Sequence, residues 1–128
     1  CIRDRLIDAH EAGGFFQARK QAAIAEAFGL GVTLHSGCEL GLSQVANLHL
    51  AASIPELRLS IDSHYPLFAD DILATPLRIT QGCMRVPDGP GLGVEPDLDK
   101  LERYRTDRVR DAYLDPARPG WFPMKPAY

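Results

Sequence analysis

Asp8, His35 and Asp62 follow one another at equal 27-residue intervals, each at the end of a short segment that reads as a β-strand. Those segments are Ile2–Asp8, Gly31–His35 and Leu57–Asp62; in the last, Leu57, Leu59 and Ile61 share one face and Arg58, Ser60 and Asp62 the other. Helix-period sequence separates them. Gly13-Gly14 leads into an alanine-rich stretch, Phe15–Phe28, in which Phe16, Ala23 and Ala27 form a stripe and Gly29 suits a left-handed stop. Leu40–Ser53 is the second helix, with Leu42, Val45, Ala46, His49 and Ala52 on one face, and Pro55 ends it. Two equal strand–loop–helix units in succession are what a parallel α/β fold produces.

Beyond Asp62 this period stops. Pro66–Thr75 reads as a connector with a helical turn around Leu67–Leu73. Pro76–Thr80 and Cys83–Val86 flank Gln81-Gly82 as a hairpin, and Pro87-Asp88-Gly89-Pro90-Gly91 is a turn cluster. Pro96–Asp111 reads as a charged helix broken near Arg105, and Pro116–Tyr128, with four prolines, as an extended tail anchored by Trp121 and Phe122. A closed barrel of this kind needs eight strands and about 250 residues. The 128 residues here supply three strands, and an open sheet of three leaves long bare edges. The expected fold class is therefore α/β, the C-terminal portion of a (β/α) TIM-like barrel. Residues 1–65 would form its last three strands, and 66–128 the hairpin, helix and tail packed against it.

Charge narrows the partners. Fourteen basic against seventeen acidic residues give a net charge of −3, which offers nucleic acid no basic surface. No apolar run approaches the roughly 18 residues of a membrane span. Cys1, Cys38 and Cys83 are odd in number and lack CxxC spacing, which points to a reduced, cytoplasmic compartment.

In parallel α/β folds the C-terminal strand ends face the reaction site. Asp8, His35 and Asp62 are then presented at one mouth, and an aspartate beside a histidine holds the imidazole in one tautomer for acid/base work. The competing reading makes the aspartates helix caps at loop starts and His35 a satisfied histidine; the equal spacing favours the first. His64 lies two residues past Asp62 and either reaches the mouth or acts from behind it, whereas His10 is a loop neighbour of Asp8. His49, in an apolar helix face, reads as a packed, hydrogen-bonded side chain. The absence of HxH or HxxxH spacing argues against zinc, Cys38 lacks triad partners, and Gly89–Gly93 lacks the lysine of a phosphate loop.

Three runs carry a family likeness. They are His35-Ser36-Gly37-Cys38-Glu39-Leu40-Gly41-Leu42-Ser43 followed by Leu48-His49-Leu50-Ala51-Ala52, then Asp62-Ser63-His64-Tyr65, and Val86-Pro87-Asp88-Gly89-Pro90-Gly91-Leu92-Gly93-Val94. With Asp8 and Gly13-Gly14, they make the sequence resemble the C-terminal part of the enolase superfamily, in its mandelate racemase and glucarate dehydratase branch. The resemblance implies an acid-sugar dehydratase that removes the proton α to a carboxylate, forms a Mg²⁺-stabilised enediolate and eliminates water to a keto acid. His35 would be the base, or the acid assisting the leaving hydroxide, and Asp8 would orient it. Asp62, Ser36 and His64 would contact substrate. No metal ligand is assigned within this chain, because the family's ligands and Lys-x-Lys base belong to earlier strands. Residues 66–128 would return to the family's capping domain. Where glucarate dehydratases carry asparagine after the serine, Gly37 stands here, which removes one hydrogen bond to substrate. The alternatives are a racemase or epimerase of a 2-hydroxy acid and a non-catalytic remnant of the fold. The implied partner is a small carboxylate or acid-sugar substrate, in a homo-oligomer when full length.

Overall fold

Parallel pairing of two strands places the ends of the first two predicted units side by side. The structure, a computed structural model, describes residues 4–105. In it β1 (Asp4–Ile7) and β2 (Gly31–Leu34) run parallel in the register Asp4↔Gly31 to Ile7↔Leu34. A bond from His35 N–H to the Ile7 carbonyl, 2.8 Å, carries the ladder one residue further. Between them α1 (Phe15–Ala27) crosses over and stops as predicted: Gly29 has φ +66°, and Leu30 N–H reaches back to the Ala25 carbonyl at 2.9 Å.

The buried face of α1 differs from the predicted stripe. Ala18, Ala22 and Ala25 are buried, while Phe16 lies 70% exposed and Ala23 and Ala27 face outward. Small side chains at that spacing let the helix backbone come down closely on Ile7, Val32 and Leu34, which form the core with Leu50 and Ile54. Bulkier Phe16, Ile24 and Phe28 would hold it off and stay outside.

The second helix, α2 (Gly41–Ala52), buries Gln44, Val45, Asn47, Leu48 and Leu50; of the expected stripe Leu42, Val45, Ala46, His49 and Ala52, Val45 alone is buried. It is covered from two sides. One is the β1–β2 core; the other is the returning chain, where His49 Nε2–H donates to the Leu92 carbonyl at 3.1 Å. His49 is thus the hydrogen-bonded helix residue the sequence suggested.

The third predicted strand does not form. Leu57–Asp62 runs beside β2, but its ties to that strand are one backbone bond, Asp62 N–H to the Leu34 carbonyl at 3.0 Å, and the Thr33 hydroxyl on the Ser60 carbonyl at 2.7 Å. Leu57 and Ile61 pack on the core while Leu59 is exposed, so the expected alternation breaks at the middle residue. A strand with a neighbour on one side only lacks the second ladder that would straighten it.

After a 3₁₀ turn at Tyr65–Leu67, displaced from the predicted Leu67–Leu73, comes a hairpin of β3 (Ile79–Thr80) and β4 (Cys83–Met84). Gln81 and Gly82 both have positive φ, +52° and +76°, as a two-residue turn matching strand twist requires. The chain then pairs Leu73 with Pro96 and enters α3 (Leu98–Tyr104), capped by the Asp97 carboxylate on Lys100 N–H at 3.0 Å. Asp70 receives Lys100 Nζ at 2.7 Å and the Tyr104 hydroxyl at 2.6 Å, which hold its carboxyl well below the usual range. The expectations for Cys1, for residues 2–3 of the first strand, for the helix beyond 105 and for the tail with Trp121 and Phe122 lie outside the described residues.

Asp71 locks α2 in place. Its Oδ1 accepts from Gly41 N–H at 2.8 Å and Ile72 N–H at 2.7 Å, and its Oδ2 from the Tyr65 hydroxyl at 2.6 Å. The Tyr65 oxygen accepts in turn from Leu77 N–H at 3.0 Å. A Cβ on Gly41 would stand 2.5 Å from Leu73 Cδ1 and closer still to Asp71 Oδ2. Gly41→Ala should therefore cost about 1–3 kcal/mol as an overpacking change, read as a lowered melting temperature of the protein at its native length. Unchanged melting would show that this contact is loose.

Burial, with the hydrogen bond to Asp71, pushes the Tyr65 phenol up to about 12 from its ordinary value of 10.0. The raised pKa means the fold favours the neutral phenol. That stabilisation is complete below the ordinary tyrosine range and is lost as pH rises towards 12. A phenolate absorbance titration should show a late-ionising tyrosine that Tyr65→Phe removes.

Candidate active site

Register alone puts Asp8 and His35 on one face. Ile7 pairs with Leu34, so the next residues, Asp8 and His35, oppose each other on the side carrying Leu6 and Thr33. Both line a cavity of about 190 Å³ with Arg5, Leu6 and Gln21. Among the described residues, the carboxylate within 4.0 Å of the His35 ring is Asp62, whose Oδ2 lies 3.5 Å from Nδ1. Both members are well exposed, His35 at 39% and Asp62 at 48%.

Asp8 is engaged elsewhere. Its Oδ1 accepts from His10 N–H at 2.7 Å and Glu11 N–H at 3.1 Å, closing the turn after β1, and lies 3.5 Å from His10 Nδ1. Asp8 therefore closes a turn and does not, as the competing reading had it, cap helix α1, which starts at Phe15 after Gly14.

Ser36 and His64 meet directly. The Ser36 hydroxyl is 3.1 Å from both His64 N and His64 Nδ1, and it donates to Glu39 Oε2 at 2.5 Å. Glu39 Oε1 accepts from Gly37 N–H at 2.5 Å. Cys38, at φ +69°, reverses the chain so that the Glu39 carboxylate can reach both. Ser63 bridges to α2 through Gln44 Oε1 at 2.8 Å.

Glu39 carries no role in the sequence reading, yet it is buried at the centre of this loop. The Ser36-x-x-Glu39 spacing suggests a reciprocal helix cap, but α2 starts at Gly41 and the Ser36 hydroxyl bonds the Glu39 carboxylate itself, so the sequence pattern points to a different role.

Asp8, His10 and Glu39 hold potential ligand atoms within 4.8 Å of one another. Magnesium takes six oxygens in a near-octahedral shell. This set offers two carboxylates and an imidazole, and both carboxylates already accept backbone N–H groups. These residues do not by themselves fit a magnesium ion. No helix among the described residues is long and apolar enough to cross a membrane.

Comparison with known proteins places this geometry in context. The family described as enolase C-terminal domain-like matches residues 5–100. A probable glucarate dehydratase of Streptomyces coelicolor is 42% identical over 75% of this chain, which spans 22% of that protein. A muconate cycloisomerase of Acinetobacter lwoffii is 39% identical over 79% of the chain, which spans 27% of it. The solved structure of an enolase from Pseudomonas fluorescens, with bound magnesium, potassium and tartrate, superposes with a TM-score of 0.75. It is 36% identical over 79% of this chain, which covers 24% of that one. The chain thus spans about a quarter of the relatives it matches.

The turn-closing role of Asp8 gives a direct test. Asp8→Asn keeps an oxygen for His10 and Glu11 N–H and should leave thermal stability nearly unchanged. Asp8→Ala removes the acceptor and should cost about 1 kcal/mol. Equal melting temperatures for the two variants would deny that role.

Proposed function

The chain belongs to the enolase superfamily, as its C-terminal domain, and from that premise we propose that the protein is an acid-sugar dehydratase. The observation that carries the reading is His35 at the C-terminal end of β2, with Asp62 at its Nδ1 and Asp8 opposite it in register. In this reading Asp62 holds the proton on Nδ1 and leaves Nε2 to take the proton α to the substrate carboxylate. The electron pair of that C–H bond moves into an enediolate. The β-hydroxyl then departs with a proton as water, and the enol tautomerises to a keto acid. Asp62 thus fills the orienting role expected of Asp8, which shapes the cavity wall; His64 is assigned to a substrate hydroxyl or carboxylate, whereas Ser36, buried with its hydroxyl held by Glu39 and His64, serves from behind it.

The 42% identical glucarate dehydratase and the tartrate held by the P. fluorescens enolase support a hydroxylated carboxylate as substrate. Magnesium in that structure supports a metal-dependent reaction in which the ion stabilises the enediolate. Its ligands are assigned to other strands, since those described here do not fit it. The exposed Phe16, Ile24 and Phe28 of α1, and the edge of β1 that pairs with no strand among the described residues, are in keeping with a (β/α) barrel whose remaining strands complete the sheet, residues 66–128 returning to a capping domain. We assign the whole protein to the cytoplasm as a homo-oligomer without nucleic-acid or membrane partners.

A second reading draws on the muconate cycloisomerase match: an isomerase using the same proton abstraction, a racemase or epimerase of a 2-hydroxy acid included. Product analysis separates the two, because a dehydratase releases water and a keto acid while an isomerase conserves composition. In the protein at its native length, His35→Asn should lower turnover by roughly 10²–10⁴-fold and abolish solvent-deuterium exchange at the α-carbon to a similar degree. Exchange at the wild-type rate in that variant would remove His35 from the chemistry.

A further inference from the structure

We propose that Glu39 is a positioning residue that acts through Ser36 to set the tautomer of His64, leaving its Nε2 bare as an acceptor for a substrate hydroxyl. The assignment of that Nε2 to substrate rests on the proposed function; the tautomer rests on hydrogen-bond accounting alone. Ser36 is 1% exposed and Glu39 6%, so water does not substitute for either. A serine hydroxyl has one proton and two lone pairs, and three groups surround this one. Glu39 Oε2, 2.5 Å away, accepts as a carboxylate, so it takes the proton. The His64 backbone N–H, 3.1 Å away, can only donate and takes one lone pair. The remaining lone pair faces His64 Nδ1 at 3.1 Å, which must therefore carry a proton. In a neutral imidazole the other nitrogen is then an acceptor. Glu39 cannot turn to escape this arrangement, because its Oε1 is held by Gly37 N–H, a fixed backbone donor at 2.5 Å.

The same accounting predicts a reversal. In Glu39→Gln the single amide oxygen is claimed by Gly37 N–H, so the NH₂ group faces Ser36 and donates to it. The serine proton must then turn onto His64 Nδ1, and the ring carries its proton on Nε2. The experiment is two-bond ¹⁵N–¹H correlation on ¹⁵N-histidine-labelled protein at its native length, at a pH well above the ordinary histidine range, with His64 identified by the signals lost in His64→Gln. The expected result is an Nδ1–H pattern in the wild type and an Nε2–H pattern in Glu39→Gln. Ser36→Ala, which removes the link without reversing it, should move the ring off the Nδ1–H form and gives a second reading where Glu39→Gln fails to fold. A wild-type Nε2–H pattern, or an Nδ1–H pattern persisting in either variant, would overturn the proposal. Neither readout needs turnover. A protein without dehydratase activity that still shows the reversal would refute the function and keep the positioning, while an active protein without it would do the opposite.

Discussion

The Asp71 carboxylate is the constraint on which the site's geometry depends. It is 4% exposed and satisfies the first N–H of α2 from thirty residues away, a job that local side chains leave undone, since Leu40 at the cap position has no side-chain acceptor. A negative charge at a helix N-terminus also meets the positive end of the helix dipole. The Tyr65 hydroxyl on its other oxygen ties the chain just past His64 to the same point. Hydrogen bonds to charged groups contribute about 1.5–3 kcal/mol each when buried, so one carboxylate fixes two loops. The loop 36–40 ends at Gly41 and the run 62–65 ends at Tyr65. The Ser36, Glu39 and His64 contacts form because both ends are held.

How much of this the sequence disclosed depends on whether the cause was local. Gly29 at a helix end, the Gln81-Gly82 turn and the two parallel strand ends are decided by neighbouring residues, and each is found where the sequence places it. The 27-residue interval correctly brings Asp8 and His35 to one sheet face. The interval says nothing about ladder bonds, so Leu57–Asp62 kept the spacing without becoming a strand. The stripe on α1 failed for a different reason. Periodicity finds apolar residues, but the close approach to β1 and β2 selects the smallest ones, Ala18, Ala22 and Ala25. The link from Asp71 to Gly41 crosses thirty residues and leaves no pattern in the chain between.

The carboxylates of the site divide by burial, and the division bears on how such a mouth works. Glu39 is covered and accepts from the Ser36 hydroxyl and Gly37 N–H, so its place depends little on solvent. The His35–Asp62 pair is open, with 3.5 Å between the nearest atoms. Opposite charges about 4 Å apart attract by about 1 kcal/mol in water but about 4 kcal/mol where the effective dielectric constant is near 20. When the ring is protonated, an exposed pair of this kind is loosely oriented and salt-screened. The Ser36–Glu39–His64 set, buried at Ser36 and Glu39 and part-buried at His64, lies one residue from His35 and two from Asp62 along the chain. It anchors the backbone beneath a pair whose own contact is weak. The strength of the His35–Asp62 interaction then varies with its exposure to solvent, while the place of both residues is decided underneath, by buried Ser36 and Glu39 and part-buried His64.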